Sequence, residues 1–168
     1  RLSMDRRLPT HRLLHDRGGR MRPEIVKQWD DRKHILEVFF KENKQSEYST
    51  YLQIVKKLME FVIIDAKGYG DKWEQKWNLK DIRELDFGDY QGDLIFFIPR
   101  ETYQPSADEI LVTTVSYGSC SGCDTLQGIC GYRESDLPSD QQVQDYMSLA
   151  LHLVQNMKLL YESDEVNW

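Results

Sequence analysis

Cys120 and Cys123 are separated by two residues in the stretch YGSCSGCD, Tyr117 to Asp124, directly after a β-branched run. Three chemistries use that spacing. A reactive dithiol needs one sulfur held as thiolate near neutral pH, which a helix N-terminus or a neighbouring cation supplies. A structural zinc site takes two thiolates from such a pair and needs two further ligands; Cys130 is the candidate third, and His34 or His152 the candidate fourth. A tight turn needs only glycines and small side chains, here Gly118 and Gly122, and the cysteines then act as small buried hydrophobes. The residues around the pair favour the turn. Asp124 follows Cys123 directly and no Lys or Arg lies nearer than Arg133, so the expected neighbour is a carboxylate, which raises a thiol's pKa. The β-α-β unit that precedes a thioredoxin-like motif is missing, and no second C-x-x-C completes a zinc set.

Other chemistry-bearing groups are scattered. Asp86, Asp89, Asp93 and Asp124 would converge on a divalent cation if the glycine-framed turn from Gly88 to Gly92 lay beside the cysteine stretch. Acidic turn residues are ordinarily solvated, and that is the expectation. Asp86, Phe87 and Gly88 spell the metal-binding triplet of protein kinases without a glycine-rich loop or an H-R-D segment. There is no G-x-S-x-G, phosphate-binding glycine loop or H-E-x-x-H. Trp73, Trp77, Tyr90 and Tyr103 lie in or near polar connections, and exposed aromatics are enriched at interfaces. Trp77 and Phe87 are expected in the core, Trp73 and Tyr103 on a contact surface.

The elements that position these residues follow from hydrophobic period. Pro23 and Glu24 start a helix whose apolar face is Ile25, Trp29, Leu36, Phe39 and Phe40, ending near Asn43. Ser49 is the expected cap of a second helix with the stripe Tyr51, Leu52, Val55, Leu58, Met59 and Val62, closed by Gly68 and Gly70. Strands are expected at Ile82–Phe87, Asp93–Ile98 and Glu109–Tyr117, forming an antiparallel meander. Ser139 caps a last helix whose apolar face runs from Val143 through Met157 to Tyr161. Two helices, a three-stranded meander and a C-terminal helix on one face make an α+β fold.

The chain has 168 residues, 40% of them hydrophobic and 30% charged, as expected of one soluble globular domain. Its net charge of −6 is uneven. Residues 1–20 carry six Arg against Asp5 and Asp16, a net of +4, so residues 21–168 carry −10. The Arg-rich opening is read as a leader, non-native or disordered, and residues 21–168 as the domain. An acidic body argues against direct nucleic-acid binding, because phosphate affinity comes mainly from Lys and Arg. It suits a protein partner with a basic surface. No apolar run reaches membrane-spanning length, three cysteines cannot all pair within the chain, and a cytoplasmic protein is expected.

The sequences DFGDYQGD and, some thirty residues on, VSYGSCSGCDTLQ resemble a loose group of uncharacterised small phage and bacterial proteins in which a DYQG turn and a YGSCSGCD stretch recur together. The resemblance covers residues 86 to about 127, roughly a quarter of the chain. It implies a phage or mobile-element origin and marks Asp89, Tyr90, Gly92, Tyr117, Gly118, Cys120, Cys123 and Asp124. Combined with the acidic body and the missing catalytic constellation, it leads to a non-enzymatic protein that binds a host or defence macromolecule, such as a CRISPR complex. The expected contact residues are Trp73, Asp89, Tyr90, Asp93, Tyr103, Tyr117 and Asp124, and no cofactor is expected. The alternatives are a zinc- or thiol-dependent protein built on Cys120, Cys123 and Cys130, and a virion component.

Overall fold

The computed structural model describes residues 22–46, 49–64, 76–130 and 137–162. The Arg-rich opening, Gly68, Gly70 and Trp73 lie outside these segments. Pro23 presets the first turn of α1 (Pro23–Glu42), and Glu24 near its start and Lys41 near its end both favour the helix dipole. Ile25, Trp29, Leu36 and Phe40 make its buried stripe. α2 (Tyr51–Phe61) is capped by Thr50 rather than Ser49, through a reciprocal capping box with Gln53. It ends at Phe61, short of the glycines expected to close it.

β1 (Arg83–Gly88), β2 (Gly92–Pro99) and β3 (Ile110–Tyr117) form the expected antiparallel meander. Two elements were not expected. A short helix, α3 (Thr125–Cys130), follows the cysteine turn. The last helix, α4 (Asp140–Gln155), stops at the cap Asn156, and Lys158–Leu159 then pairs with Leu111 and Val112 as β4. Among the described residues the fold is α+β, with four α-helices and a four-stranded antiparallel sheet of order β1-β2-β3-β4. Met157 is buried as expected, but Tyr161, expected on the same helical face, is 60% exposed, because the chain turns back onto the sheet and buries Leu159 instead.

Alternation along β2 and β3 turns Leu94, Phe96, Ile98, Leu111 and Val115 into one cluster with the buried faces of the helices. Phe40 of α1 stacks on Tyr146 of α4 at 4.7 Å between ring centres. Phe87 does not join this core. It sits opposite Asp93, one register step from Leu94, so it faces away from the helices, and it is 60% exposed. Trp77 is buried as expected, bridged to Arg100 and with the Arg100 guanidinium 5.9 Å from its ring.

Two hydrogen bonds fix the end of α4 to the sheet. Buried Thr113 Oγ1 donates to the Leu153 carbonyl at 2.6 Å, and Asn156 Nδ2 donates to the Thr114 carbonyl at 3.1 Å. The Leu153 carbonyl belongs to the last turn, where helix acceptors lose their intrahelical donors. Thr113→Val keeps the shape and removes the donor. It is expected to lower the unfolding free energy by about 1–2 kcal/mol in urea titration, with the slope unchanged.

Candidate functional site

β3 ends at Tyr117 and α3 begins at Thr125; the seven-residue segment between is held by one side chain. Asp124 is buried, and each of its oxygens accepts hydrogen bonds from backbone. Oδ1 accepts from Gln127 N at 2.8 Å, the bond that caps α3. Oδ2 accepts from Gly118 N at 3.1 Å and from the Tyr51 hydroxyl at 3.2 Å. Tyr51 Oη in turn accepts from Leu126 N at 3.2 Å. The start of α2, the end of β3 and the first turn of α3 thus meet at one carboxylate. Burial pushes the Tyr51 phenol up to about 12, and the adjacent Asp124 charge adds to the effect.

With the ends of the loop fixed, residues 119–123 form an exposed turn in which the Cys120 carbonyl accepts from Cys123 N at 2.9 Å and Asp124 N at 2.8 Å. A side chain at Gly118 would run into the carbonyl and, at 2.8 Å, the sulfur of Cys123. That close approach is why glycine is needed there. Cys120 and Cys123 are both exposed, contrary to the expectation that they pack as small hydrophobes. Their sulfurs are 2.7 Å apart. Cys123 Sγ also accepts from Cys120 N at 3.0 Å and contacts Ser119 Oγ at 3.8 Å, and its thiol faces the Cys120 carbonyl at 3.2 Å.

Hydrogen bonding with the Cys120 side chain, helped by Ser119 and by backbone, holds the Cys123 thiol below its ordinary value. The expected opposition from Asp124 is not among the influences on Cys123. That carboxylate is turned inward to Gly118, Gln127 and Tyr51, and the thiol it raises is Cys130. Cys130 is half-buried on α3, 3.4 Å from the Tyr146 hydroxyl, and burial is the main cause of its raised value.

The cysteine turn and the β1–β2 hairpin do lie side by side, since Gly92 pairs with Tyr117. The aspartates nevertheless do not converge. Tyr117 Oη donates to Asp86 at 2.7 Å, Ser116 Oγ donates to Asp93 at 2.6 Å, and Asp124 is inside. The Asp86 hydrogen bond, with Asp89 and Asp93 nearby, pushes Tyr117 up to about 12. Among the described residues, no three of His, Cys, Asp and Glu come together so as to hold a metal ion. His34 and His152 are both exposed on their helices, on α1 and α4.

Of the expected contact residues, Asp89, Tyr90 and Asp93 are exposed on the hairpin, and Tyr103 is exposed in the loop after β2. Tyr117 is half-buried, Asp124 is interior, and Trp73 is outside the described residues. Sequence reasoning missed Tyr51, which reads as one more apolar position on α2. A tyrosine at the first position of a helix stripe carries a hydroxyl that must find a partner when buried, and that was the available signal. Comparison with protein-family models, curated proteins and solved structures gives no match.

Tyr51→Phe leaves Asp124 and Leu126 N each one partner short in a buried site, and should cost about 1–3 kcal/mol in urea titration. The pH sign is fixed by the raised phenol. Its contribution is complete below pH 10.0, the ordinary value, and declines as pH rises through about 12. The wild-type chain should therefore lose more stability over that window than Tyr51→Phe does.

Proposed function

We propose that the chain acts by binding a macromolecule with a basic surface through the hairpin end of its sheet, and that this partner is a protein. The supporting observation is β1, an edge strand in which every residue is exposed. Folded proteins usually blunt such edges with covering elements or charge. Here Leu85, Phe87 and Tyr90 are exposed at 47%, 60% and 83%, with Asp93 paired opposite Phe87 and Asp89 exposed at the tip. From Arg83 to Pro99 the sequence carries four carboxylates and one cation. Apolar anchors ringed by like charge suit a partner of opposite sign, with the charges steering encounter and the aromatics supplying buried area.

The acidic character of residues 21–168 points the same way and away from phosphate backbones. No described helix is long and apolar enough to cross a membrane. The likeness of the DYQG and YGSCSGCD stretches to phage proteins directs the search for the partner to host and defence machinery, CRISPR complexes included.

Asp89→Arg combined with Tyr90→Ala changes the hairpin tip without touching the core. Immobilised wild-type chain should retain a protein from host lysate at low salt and release it as salt rises, because exposed charges are screened. The double variant should retain it at least about tenfold less well. Equal, salt-insensitive retention by both chains would exclude the hairpin as the binding surface.

A further inference from the structure

The cysteine turn lies beside the hairpin, where Gly92 pairs with Tyr117. Its sulfurs are both at the surface, 2.7 Å apart, and the loop that carries them is fixed at both ends by a buried carboxylate. We propose that Cys120 and Cys123 form a dithiol centre for thiol–disulfide exchange, with a small-molecule disulfide as the oxidising co-substrate.

Three observations of geometry support this. Sulfur atoms this close need little further movement to bond, so closure leaves the rest of the turn in place. Gly118 leaves room for the Cys123 sulfur and carbonyl against the end of β3, so the sulfur's position is set by the sheet and not by a free loop. Cys123 Sγ accepts from Cys120 N and lies within hydrogen-bonding reach of the Cys120 sulfur and Ser119 Oγ. Hydrogen bonding at this sulfur favours the thiolate form, and the lowered Cys123 value agrees with it. The Cys120 carbonyl at 3.2 Å and partial desolvation favour the protonated thiol. Cys130 is set apart by its half-burial and its contact with Tyr146.

The electron balance is simple. Cys123 loses its proton to solvent, and the thiolate attacks one sulfur of the disulfide RSSR. The S–S bond breaks, a mixed disulfide Cys123–S–S–R forms, and RS⁻ leaves and is protonated. Cys120 then gives its proton to solvent and its sulfur attacks Cys123 Sγ, expelling the second RS⁻. The two cysteines are oxidised by two electrons, and RSSR is reduced to two RSH. Excess reduced thiol runs the sequence backwards.

The test uses the reduced full-length chain, oxidised glutathione as the probe, acid quenching, alkylation and peptide mass mapping. The expected product is an intramolecular Cys120–Cys123 disulfide with Cys130 still alkylated, reopened by excess reduced glutathione. The rate should rise with pH and level off below the value of an ordinary thiol. Cys120→Ser should stop at a mixed disulfide on Cys123, Cys123→Ser should slow the first step by about tenfold or more, and Cys130→Ser should change neither step. Alkylation of all three wild-type thiols after prolonged exposure to oxidised glutathione would overturn the proposal, as would preferential reaction at Cys130. Stoichiometric zinc that protects Cys120 and Cys123 would overturn it as well. The wild-type measurement decides the matter even if a variant fails to fold.

Discussion

The arrangement at the end of the sheet that carries the cysteine turn depends on a carboxylate placed where a carboxylate is costly. Taking Asp124 out of water is unfavourable unless its oxygens are fully engaged, and they are, by Gln127 N, Gly118 N and the Tyr51 hydroxyl. Each donor comes from a different element. Satisfying the charge therefore forces the start of α2, the first residue after β3 and the first turn of α3 to meet. With six residues, α3 is too short to be stable alone, and it takes its cap and its position from this contact. The turn between Gly118 and Asp124 has little freedom left, which is why its two sulfurs point outward in contact instead of collapsing inward.

The same end of the sheet carries the hairpin. Pairing of Gly92 with Tyr117 sets the β1–β2 tip beside the dithiol turn, and the hydrogen bond from Tyr117 to Asp86 ties the outer strand to the third across the one between them. The aspartates of this region have separate tasks. Asp124 organises backbone, Asp86 and Asp93 hold hydroxyls of β3, and Asp89 is exposed at the tip. One acidic region thus serves both architecture and surface.

The helical faces, the three longer strands and the Ser139 cap were readable from the sequence because each is set by local period and by turn residues. Two elements escaped for physical reasons. β4 is a two-residue strand, and nothing in Lys158–Leu159 distinguishes it from the helical stripe before it; only the edge of β3 selects it. Phe87 reads as core by residue type, but one register step on an edge strand turns it to the open face. The CxxC spacing was evident, whereas its environment was not. Sequence adjacency makes Asp124 look like a neighbour of the Cys123 thiol, and a tertiary contact with Tyr51, 73 residues away, turns the charge elsewhere.

Amide hydrogen exchange at Gly118 and Gln127 tests this organisation most directly. Neither amide is part of a helix or strand ladder, so protection at either one reports the Asp124 contact. Both should be protected in the wild-type chain, and Asp124→Ala should speed both by about tenfold or more while β2 and β3 amides near Phe96 keep their protection. Rapid exchange at Gly118 and Gln127 in the wild-type chain, or protection that survives the loss of the carboxylate, would contradict the account.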